Sequence, residues 1–287
     1  MWIADGWNEY EVLDTSRGEK LERWGAYCLI RPDPQVIWNT RRTLPEWKHP
    51  NARYHRSSSG GGEWEFFSLP DQWALHYKNL SFNLKPFSFK HTGLFPEQAV
   101  NWDWIGQKIR SAGRPVKVLN LFAYTGGATI AAAAAGAHVT HVDAAKGMVA
   151  WAKENAVSSG LSDAPIRWLV DDCVKFVERE LRRENHYDAI IMDPPSYGRG
   201  PKGEIWKMED SIHGLIRLCA GLLSDSPLFF LLNSYTTGLQ PAVLTYMLSL
   251  ELASYGGHVV SDEIGLPVTS TGLILPCGAS GRWEADI

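Results

Sequence analysis

From residue 116 onward, short apolar runs alternate with longer segments whose apolar residues recur at helical spacing. The apolar runs predict buried strands at 116–121, 138–143, 165–170, 187–192 and 228–233. The segments between and after them predict helices near 127–136, 145–159, 172–184, 208–222 and 239–254. Such alternation is typical of an α/β fold built on a doubly wound, mainly parallel sheet.

After the last predicted helix the pattern changes. Segments 258–266 and 272–276 have no helix between them, and the turn-forming Pro267 lies nearby. We therefore predict a C-terminal antiparallel hairpin at the edge of the sheet. Residues 89–113 connect this region to the preceding part of the chain, and Pro96 and Glu97 open a predicted helix within them.

The first 88 residues show alternation of apolar and polar positions rather than a helical period. The alternation is clear in 63–66, which read Glu-Trp-Glu-Phe, and again in 73–77 and 82–84. A period of two predicts a small antiparallel, β-rich N-terminal domain at 1–88, followed by a second domain at 89–287. Residues 57–62, Ser-Ser-Ser-Gly-Gly-Gly, predict a flexible loop in the first domain.

Composition is that of a soluble globular protein. Of the 287 residues 45% are hydrophobic and 21% charged, and no apolar run approaches the roughly 18 residues that span a bilayer. The acidic N-terminal residues do not resemble a secretory signal, so we expect a cytoplasmic protein without a membrane segment. The cysteines lie far apart without a CxxC pair, which fits neither a disulfide framework nor a zinc site: Cys28, Cys173, Cys219 and Cys277.

A basic and aromatic stretch at 41–56 is the candidate surface for nucleic acid. The formal net charge of −4 gives no overall attraction to nucleic acid, so binding must rest on a local patch. The stretch has one acid, Glu46, and its basic and aromatic residues are Arg41, Arg42, Trp47, Lys48, His49, Arg53, Tyr54, His55 and Arg56. Such residues contact phosphates and stack on bases, but a solvated charged loop would have the same composition.

The chemistry begins at residues 116–127, where a buried strand enters a glycine turn and an alanine-rich helix follows. Gly126 and Gly127 let the backbone approach a ligand closely, which favours a small cofactor. The next predicted strand ends in Asp143, near the place where an acid binds ribose hydroxyls in nucleotide-binding α/β units. An ordinary strand-to-helix connection is the alternative for the turn alone. The turn lacks the GxGxxG spacing typical of dehydrogenases.

Acidic residues also end the next two predicted strands. The third strand is followed by Asp171, Asp172 and Cys173, and the fourth by 193–197, which read Asp-Pro-Pro-Ser-Tyr. An aspartate after a strand is often only a helix N-cap, and this remains the alternative for Asp172. The two prolines stiffen the backbone and remove two donors, which leaves acceptor groups suited to a planar base or an amine.

These motifs together resemble the class I S-adenosylmethionine-dependent methyltransferases, and specifically the large-subunit ribosomal RNA methyltransferase group. The resemblance rests on VLNLFAYTGGATIAAAAAGAHVTHVD, DDCVKF and YDAIIMDPPSY, and it covers residues 89 to about 240. It implies a Rossmann-like sheet, S-adenosyl-L-methionine as the cofactor and no metal. It also implies site residues: Phe122, Tyr124, Thr125 and Gly126 around the methionine and ribose, Asp143 on the ribose, Asp172 and Cys173 at the adenine, and Asp193, Pro194, Pro195 and Tyr197 at the methyl group and acceptor.

The resemblance leaves the acceptor open. In its cytosine-methylating members a cysteine follows the fifth strand, whereas Thr236 lies there in this chain, and a hydroxyl cannot replace a thiolate at neutral pH. Ser196 separates Pro195 from Tyr197, so the motif for amine methylation is also altered. We therefore favour a guanine nitrogen of ribosomal RNA, docked through 41–56. The alternatives are a catalytically inactive RNA-binding module, or a methyltransferase for a protein or small molecule; the oligomeric state is left open.

Overall fold

The computed structural model describes residues 1–57, 61–87, 89–199 and 205–286. The chain forms two compact units. The larger comprises Met1, Asn101–Ile264 and Gly278–Ile287, and the smaller comprises Trp2–Val100 and Gly265–Cys277. Of the predicted flexible loop at 57–62, residues 58–60 lie outside the described residues, and Gly62 is the first residue of a strand. No helix in the described ranges has the length and apolar character needed to cross a membrane.

The smaller unit is β-rich, as predicted. Its strands are β1 (Trp2–Ile3), β2 (Tyr10–Ser16), β3 (Glu19–Trp24), β4 (Tyr27–Pro32), β5 (Ala52–Arg56), β6 (Gly62–Phe66), β7 (Trp73–Tyr77) and β8 (Leu80–Leu84), with 3₁₀ turns at Pro45–Trp47 and Pro96–Gln98. One sheet has the order β2-β3-β4-β5-β6, and β7 pairs with β8. All of these pairs are antiparallel except β4 with β5, which is parallel because residues 33–51 carry the chain back before β5 begins.

A buried ion pair lies in the core of the smaller unit. The Arg31 guanidinium donates from Nε to Glu22 Oε2 over 2.6 Å and from Nη2 to Glu22 Oε1 over 2.8 Å, and Tyr10 Oη donates to Glu22 Oε1 over 2.7 Å. Burial alone would raise the pKa of Glu22, but Arg31 and Lys20 lower it to about 2. Removing Arg31 would leave the Glu22 carboxylate buried with its main partner gone, so this pair is expected to be essential for the fold of the unit.

The smaller unit includes two segments that lie outside the predicted domain at 1–88. Arg31 Nη1 donates to Lys90 O over 2.9 Å, and Trp7 Nε1 donates to Pro96 O over 2.9 Å, which tie residues 90–96 to β2 and β4. Residues 265–277 return to the same unit, where Thr269 N donates to Val12 O over 2.9 Å. The boundary between the two compact units therefore lies between residues 100 and 101. Long-range hydrogen bonds define the extent of the smaller unit, and local composition does not reveal them.

The larger unit has the predicted α/β architecture. Its elements are α1 (Ala99–Ser111), β9 (Lys117–Leu121), α2 (Gly127–Ala134), β10 (His138–Asp143), α3 (Lys146–Ser158), β11 (Ile166–Val170), α4 (Cys173–Arg182), β12 (Ala189–Met192), β13 (Tyr197–Arg199), β14 (Ile205–Lys207), α5 (Met208–Ala220), β15 (Phe229–Ser234), α6 (Pro241–Glu251), a 3₁₀ turn at Ala253–Tyr255, β16 (His258–Pro267) and β17 (Ile274–Glu284). The main sheet has the order β1-β16-β17-β15-β12-β9-β10-β11, of which β1 and the parts of β16 and β17 at residues 265–267 and 274–277 are counted with the smaller unit. β15, β12, β9, β10 and β11 are parallel, and β17 pairs antiparallel with β15, so the predicted fold class and terminal hairpin are confirmed.

The central parallel strands β9, β12 and β15 are buried on both faces, which explains why their sequences are largely apolar, whereas the edge strand β11 is partly exposed. Leu119 and Leu121 pack in the cluster formed with α4, α5 and α6, whereas Val116 and Val118 pack with α1 and α2. Successive residues of a strand point to opposite faces, so each strand contributes to both clusters. Helix α2 ends earlier than predicted because Gly136 adopts a left-handed φ of 97°.

Candidate cofactor and acceptor site

The site lies where five neighbouring parallel strands end. The loops that follow β9, β10, β11, β12 and β15 begin at residues 122, 144, 171, 193 and 235, and the strand order brings these loops to one edge of the sheet. This is the edge at which open α/β sheets bind ligands. The structure thus brings the predicted residues of the larger unit to one edge.

The turn after β9 has an unusual backbone. Phe122 and Tyr124 have φ values of 54° and 49°, a region that bulky residues rarely adopt, and Gly126 has a φ of 87°. Phe122 N donates to Cys173 Sγ over 3.3 Å and Tyr124 N donates to Asp143 Oδ2 over 2.8 Å. The end of β10 and the start of α4 therefore hold this turn in a strained form, which is a feature of ligand-binding loops.

Close packing explains the two glycines of the turn. A Cβ atom on Gly126 would lie 3.0 Å from Ala152 Cβ in α3, and one on Gly127 would lie 2.8 Å from Trp102 Cζ2 in α1. The buried Thr125 carbonyl accepts a hydrogen bond of 2.9 Å from Asn155 Nδ2. The start of α2 is thereby fixed against two helices, which positions the turn at the strand-end edge.

Asp143 connects the turn to the next helix. Its Oδ2 accepts from Tyr124 N and its Oδ1 accepts from Ala145 N, each over 2.8 Å. Burial raises the pKa of Asp143, although the two backbone donors oppose the shift. Each carboxylate oxygen can accept a second hydrogen bond, so the side chain can hold the turn and still bind a hydroxyl group.

The acids after β11 have structural contacts of their own. Asp172 is exposed, and its Oδ1 accepts a hydrogen bond from Lys175 N over 2.9 Å. Asp172 therefore has the helix N-cap role that the sequence analysis gave as the alternative. Asp171 forms an ion pair with Arg179. The Cys173 side chain is buried, and its Sγ accepts a hydrogen bond from Phe122 N. No sequence pattern indicates this contact.

The loop after β12 is covered by a hairpin that the sequence pattern did not predict. β13 and β14 pair antiparallel, and Trp206 in β14 donates from Nε1 to Pro195 O over 2.7 Å. The Trp206 ring lies 5.4 Å from the Phe122 ring, between centroids. Trp206 thus connects the turn after β9 with the Pro-Pro loop. Its hydrogen bond occupies the Pro195 carbonyl, one of the acceptor groups that we expected to serve a base or an amine. The only sequence signal is a lone tryptophan in a short polar segment.

A hydroxyl pair joins the loops after β12 and β15. Thr236 Oγ1 donates to Ser196 Oγ over 2.7 Å, and Ser196 O accepts from Met208 N over 3.1 Å. Ser196 is exposed and Tyr197 is 50% exposed, so this side of the site faces solvent. Thr236 therefore lies beside the Asp193 loop, where the resemblance places the acceptor.

The cysteines are not activated as nucleophiles. Burial raises the pKa of Cys173 and of Cys219, which lie in α4 and α5. In the smaller unit, burial and then the nearby acids raise the pKa of Cys28 and of Cys277. Since the thiolate is the reactive form, none of the four is suited to attack a base. In the described parts of the chain, no cluster of three His, Cys, Asp or Glu side chains could hold a metal ion.

Two of the five Lys and Arg side chains predicted to dock RNA, Arg42 and Arg53, are engaged within the smaller unit. Arg42 Nη2 donates to Glu19 Oε2 over 2.7 Å, and Arg53 donates to both oxygens of the same carboxylate. The Arg42 guanidinium also lies 4.0 Å from the Trp47 ring centroid. Exposed cations of the stretch are Arg41, Lys48 and Arg56.

Beneath the site, a buried polar chain makes the fold sensitive to acid. Asn120 Nδ2 donates to Thr129 Oγ1 over 2.9 Å, and Thr129 Oγ1 lies 2.9 Å from His141 Nδ1. Burial lowers the pKa of His141 to about 3 from the usual 6.5, so the folded state holds this imidazole neutral. Below pH 6.5 the His141 imidazole binds a proton in the unfolded chain but not in the folded chain. The free energy of unfolding therefore falls as the pH falls toward 3.

We expect the His141 contribution to lower the free energy of unfolding by about 2 kcal/mol between pH 6.5 and 5. Urea unfolding at both pH values measures this change, and His141→Gln should show a flatter pH dependence than the parent. His138→Gln is the matched control, since His138 lies exposed on the same strand. An unchanged pH dependence in His141→Gln would contradict this role.

Comparison with known proteins agrees with the fold. A family model for S-adenosylmethionine-dependent methyltransferases matches residues 37–246. The crystal structure of a SAM-dependent methyltransferase from Agrobacterium tumefaciens is similar over 99% of this chain and 93% of that one, with 37% identity and a TM-score of 0.93. A second structure, from Streptococcus mutans, covers 98% of this chain at 18% identity and a TM-score of 0.75, and supports the fold alone.

Curated relatives match a shorter part of the chain. The Ribosomal RNA large subunit methyltransferase K/L of Shewanella sp. (strain MR-4) is 38% identical over 132 residues, which are 45% of this chain and 17% of that protein. The protein of the same name from Shewanella frigidimarina is 34% identical over 143 residues, 48% of this chain and 19% of its own. The chain thus spans less than a fifth of the length of these relatives. From the family model and the full-length structural match, the chain belongs to the S-adenosylmethionine-dependent methyltransferase family, whose cofactor is S-adenosylmethionine.

Proposed function

We propose that this chain methylates a base of large-subunit ribosomal RNA, at a nitrogen of guanine. The observation that carries the choice of RNA is the similarity to the Shewanella ribosomal RNA methyltransferases. Ribosomal RNA as the acceptor makes the cytoplasm the proposed compartment. A transfer assay with tritiated S-adenosylmethionine tests the proposal on ribosomal RNA from cells that lack this protein. We expect label in the large-subunit RNA, and label in added protein alone would overturn the proposal.

The residues at the strand ends fit the cofactor. We assign Phe122, Tyr124, Thr125 and Gly126 to the methionine and ribose, Asp143 to the ribose hydroxyls, and Asp172 and Cys173 to the adenine. Two observations support the assignment. Asp143 keeps acceptor capacity after holding the turn, and exposed Asp172 uses one oxygen as a helix cap, which leaves the other for an amine.

On the acceptor side we assign Asp193, Pro194, Pro195 and Tyr197 to the base. When bound, S-adenosylmethionine would supply an activated methyl group, and the Asp193 carboxylate would position the acceptor nitrogen and take up the proton that it releases. The protein must therefore hold the nitrogen in line and exclude water. Two prolines keep the Asp193 loop rigid, and the Trp206 hydrogen bond to Pro195 O fixes it further. Exposed Tyr197 is available to stack on the base.

The raised cysteine pKa values and Thr236 argue against methylation of cytosine at carbon 5, which needs an attacking thiolate. We therefore expect no covalent adduct when the protein is incubated with S-adenosylmethionine and RNA containing 5-fluorocytosine. Denaturing electrophoresis of labelled RNA measures the adduct. An adduct that disappears in Cys277→Ser would show that a thiolate attacks, and would contradict the choice of nitrogen.

We propose that 41–56 docks the RNA through its exposed cations. Changing Arg41, Lys48 and Arg56 together to Glu should weaken RNA binding and flatten its dependence on salt, because each phosphate contact releases counterions. Binding at several salt concentrations measures both effects. Arg42 and Arg53 are left unchanged because they hold Glu19.

The control is a charge-matched variant in which exposed cations outside the stretch become Glu: Lys78, Lys153 and Arg182. It should bind RNA better than the first variant, and both should bind S-adenosylmethionine like the parent. Equal RNA binding by the two variants would show that the stretch is a solvated surface.

A further inference from the structure

An exposed aromatic patch on the smaller unit has no part in the site described above. We define the aromatic patch as Trp64, Phe66 and Phe89. Phe66 and Phe89 are 56% and 60% exposed, although large apolar rings usually avoid water. The Trp64 and Phe66 rings are stacked, with an angle of 19° between their planes and 6.2 Å between their centroids.

Hydrogen bonds fix the patch in place. Trp64 Nε1 donates to Phe87 O over 2.9 Å and to Phe89 O over 3.1 Å, which holds the segment that carries Phe89 against β6. The Tyr54 ring packs edge-on to Trp64, with 5.4 Å between centroids. Trp64 and Phe66 are therefore presented from strand β6, and the segment that carries Phe89 is tied to that strand.

The charges around the aromatic patch are cationic. Lys85 Nζ lies 5.1 Å from the Phe87 ring centroid, next to the carbonyl that Trp64 binds. Exposed Arg56 pairs with Gly62 two residues from the Tyr54–Trp64 pair, so it lies on the face of β5 and β6 that carries Trp64. The acids of β6, Glu63 and Glu65, alternate with Trp64 and Phe66 and so point to the opposite face.

We propose that the aromatic patch binds single-stranded RNA by stacking its rings on bases, with Arg56 and Lys85 facing the phosphates. Flat, exposed rings bordered by cations are the arrangement that proteins use for single strands, since every base offers a face for stacking. The proposal rests on RNA as the substrate and names how the smaller unit engages it.

The test is binding of a fluorescein-labelled, mixed-sequence RNA of about 12 nucleotides, followed by anisotropy on the full chain. Phe66→Ala and Phe89→Ala should each weaken binding about fivefold or more, the usual effect of removing one stacked ring. Phe66→Leu keeps an apolar side chain without a ring and should also weaken binding. Ile37→Ala is the control, because Ile37 is 90% exposed in the same unit.

Several results would overturn the proposal. Parent-like RNA binding by both alanine variants would exclude the patch as an RNA surface. Parent-like binding by Phe66→Leu would show apolar contact without stacking. A parent dimer that becomes a monomer in the variants, measured by light scattering, would assign the patch to a second copy. S-adenosylmethionine titration reports folding in every variant. Methyl transfer by the parent is scored separately, so a failed patch and a failed RNA substrate give different results.

Discussion

Replacing Asp143 with alanine should reduce S-adenosylmethionine affinity at least 100-fold. The variant loses the proposed ribose contact and also the acceptors of Tyr124 N and Ala145 N, which hold the strained turn. A hydrogen bond to a charged group contributes about 1.5–3 kcal/mol, so the lost ribose contact alone approaches the expected effect, and the loss of order in the turn adds to it. Calorimetric titration of the purified variant measures it.

Asp171→Asn is the matched control for this prediction. Asp171 also follows a strand of the parallel sheet, but its carboxylate pairs with Arg179 and does not touch the turn. The control should bind the cofactor within about threefold of the parent, since a partly exposed ion pair contributes little. Cofactor binding by a folded Asp143→Ala at parental strength would remove the basis for placing the ribose at this residue.

Replacing Asp193 with alanine should lower the rate of methyl transfer to ribosomal RNA by about 100-fold to 10,000-fold at saturating cofactor. The loss has this size because the side chain is proposed to position the acceptor nitrogen and to receive any proton that it releases. Its loop is rigid, so neighbouring groups cannot move in to replace it. Label incorporation from tritiated S-adenosylmethionine gives the rate.

Asp193→Asn separates the two roles of the carboxylate. Asparagine keeps the size and one acceptor oxygen, so it should retain much of the rate if positioning dominates and little if a proton must be taken up. The matched control is Ser196→Ala in the same loop, which removes only the hydroxyl that Thr236 contacts. A rate for Asp193→Ala equal to that of the parent would exclude this residue from the transfer step.

The strands of the larger unit could be predicted because short apolar segments recur between helical segments, most clearly at the fully buried β12 and β15. The predicted 138–143 is the observed β10, and 228–233 differs from β15 by one residue. Helix ends were less accurate: α4 stops at Arg182 instead of 184, because the chain turns at Glu184, whose φ is 54°. The apolar pattern predicts which positions are buried, but it does not locate the last turn of a helix accurately.

The site could be predicted only in part. Strand-end position follows from topology, so Asp143 and Asp193 could be placed together from the sequence. The contact of Cys173 with Phe122 N spans 51 residues, and the cover of Trp206 on Pro195 depends on strands of three residues each. Neither contact leaves a periodic signal. For the same reason the pairing of Arg53 with Glu19, 34 residues away, could not be distinguished from a solvated charge.

The most direct test of the central claim is the mass of the nucleosides in large-subunit ribosomal RNA from cells that lack this protein. If the chain methylates a guanine nitrogen in that RNA, one methylguanosine should be missing, and it should return with the parent gene and not with Asp193→Ala. A nucleoside profile identical to that of parental cells would contradict RNA methylation by this chain, and loss of a methylcytidine instead would contradict the proposed acceptor atom.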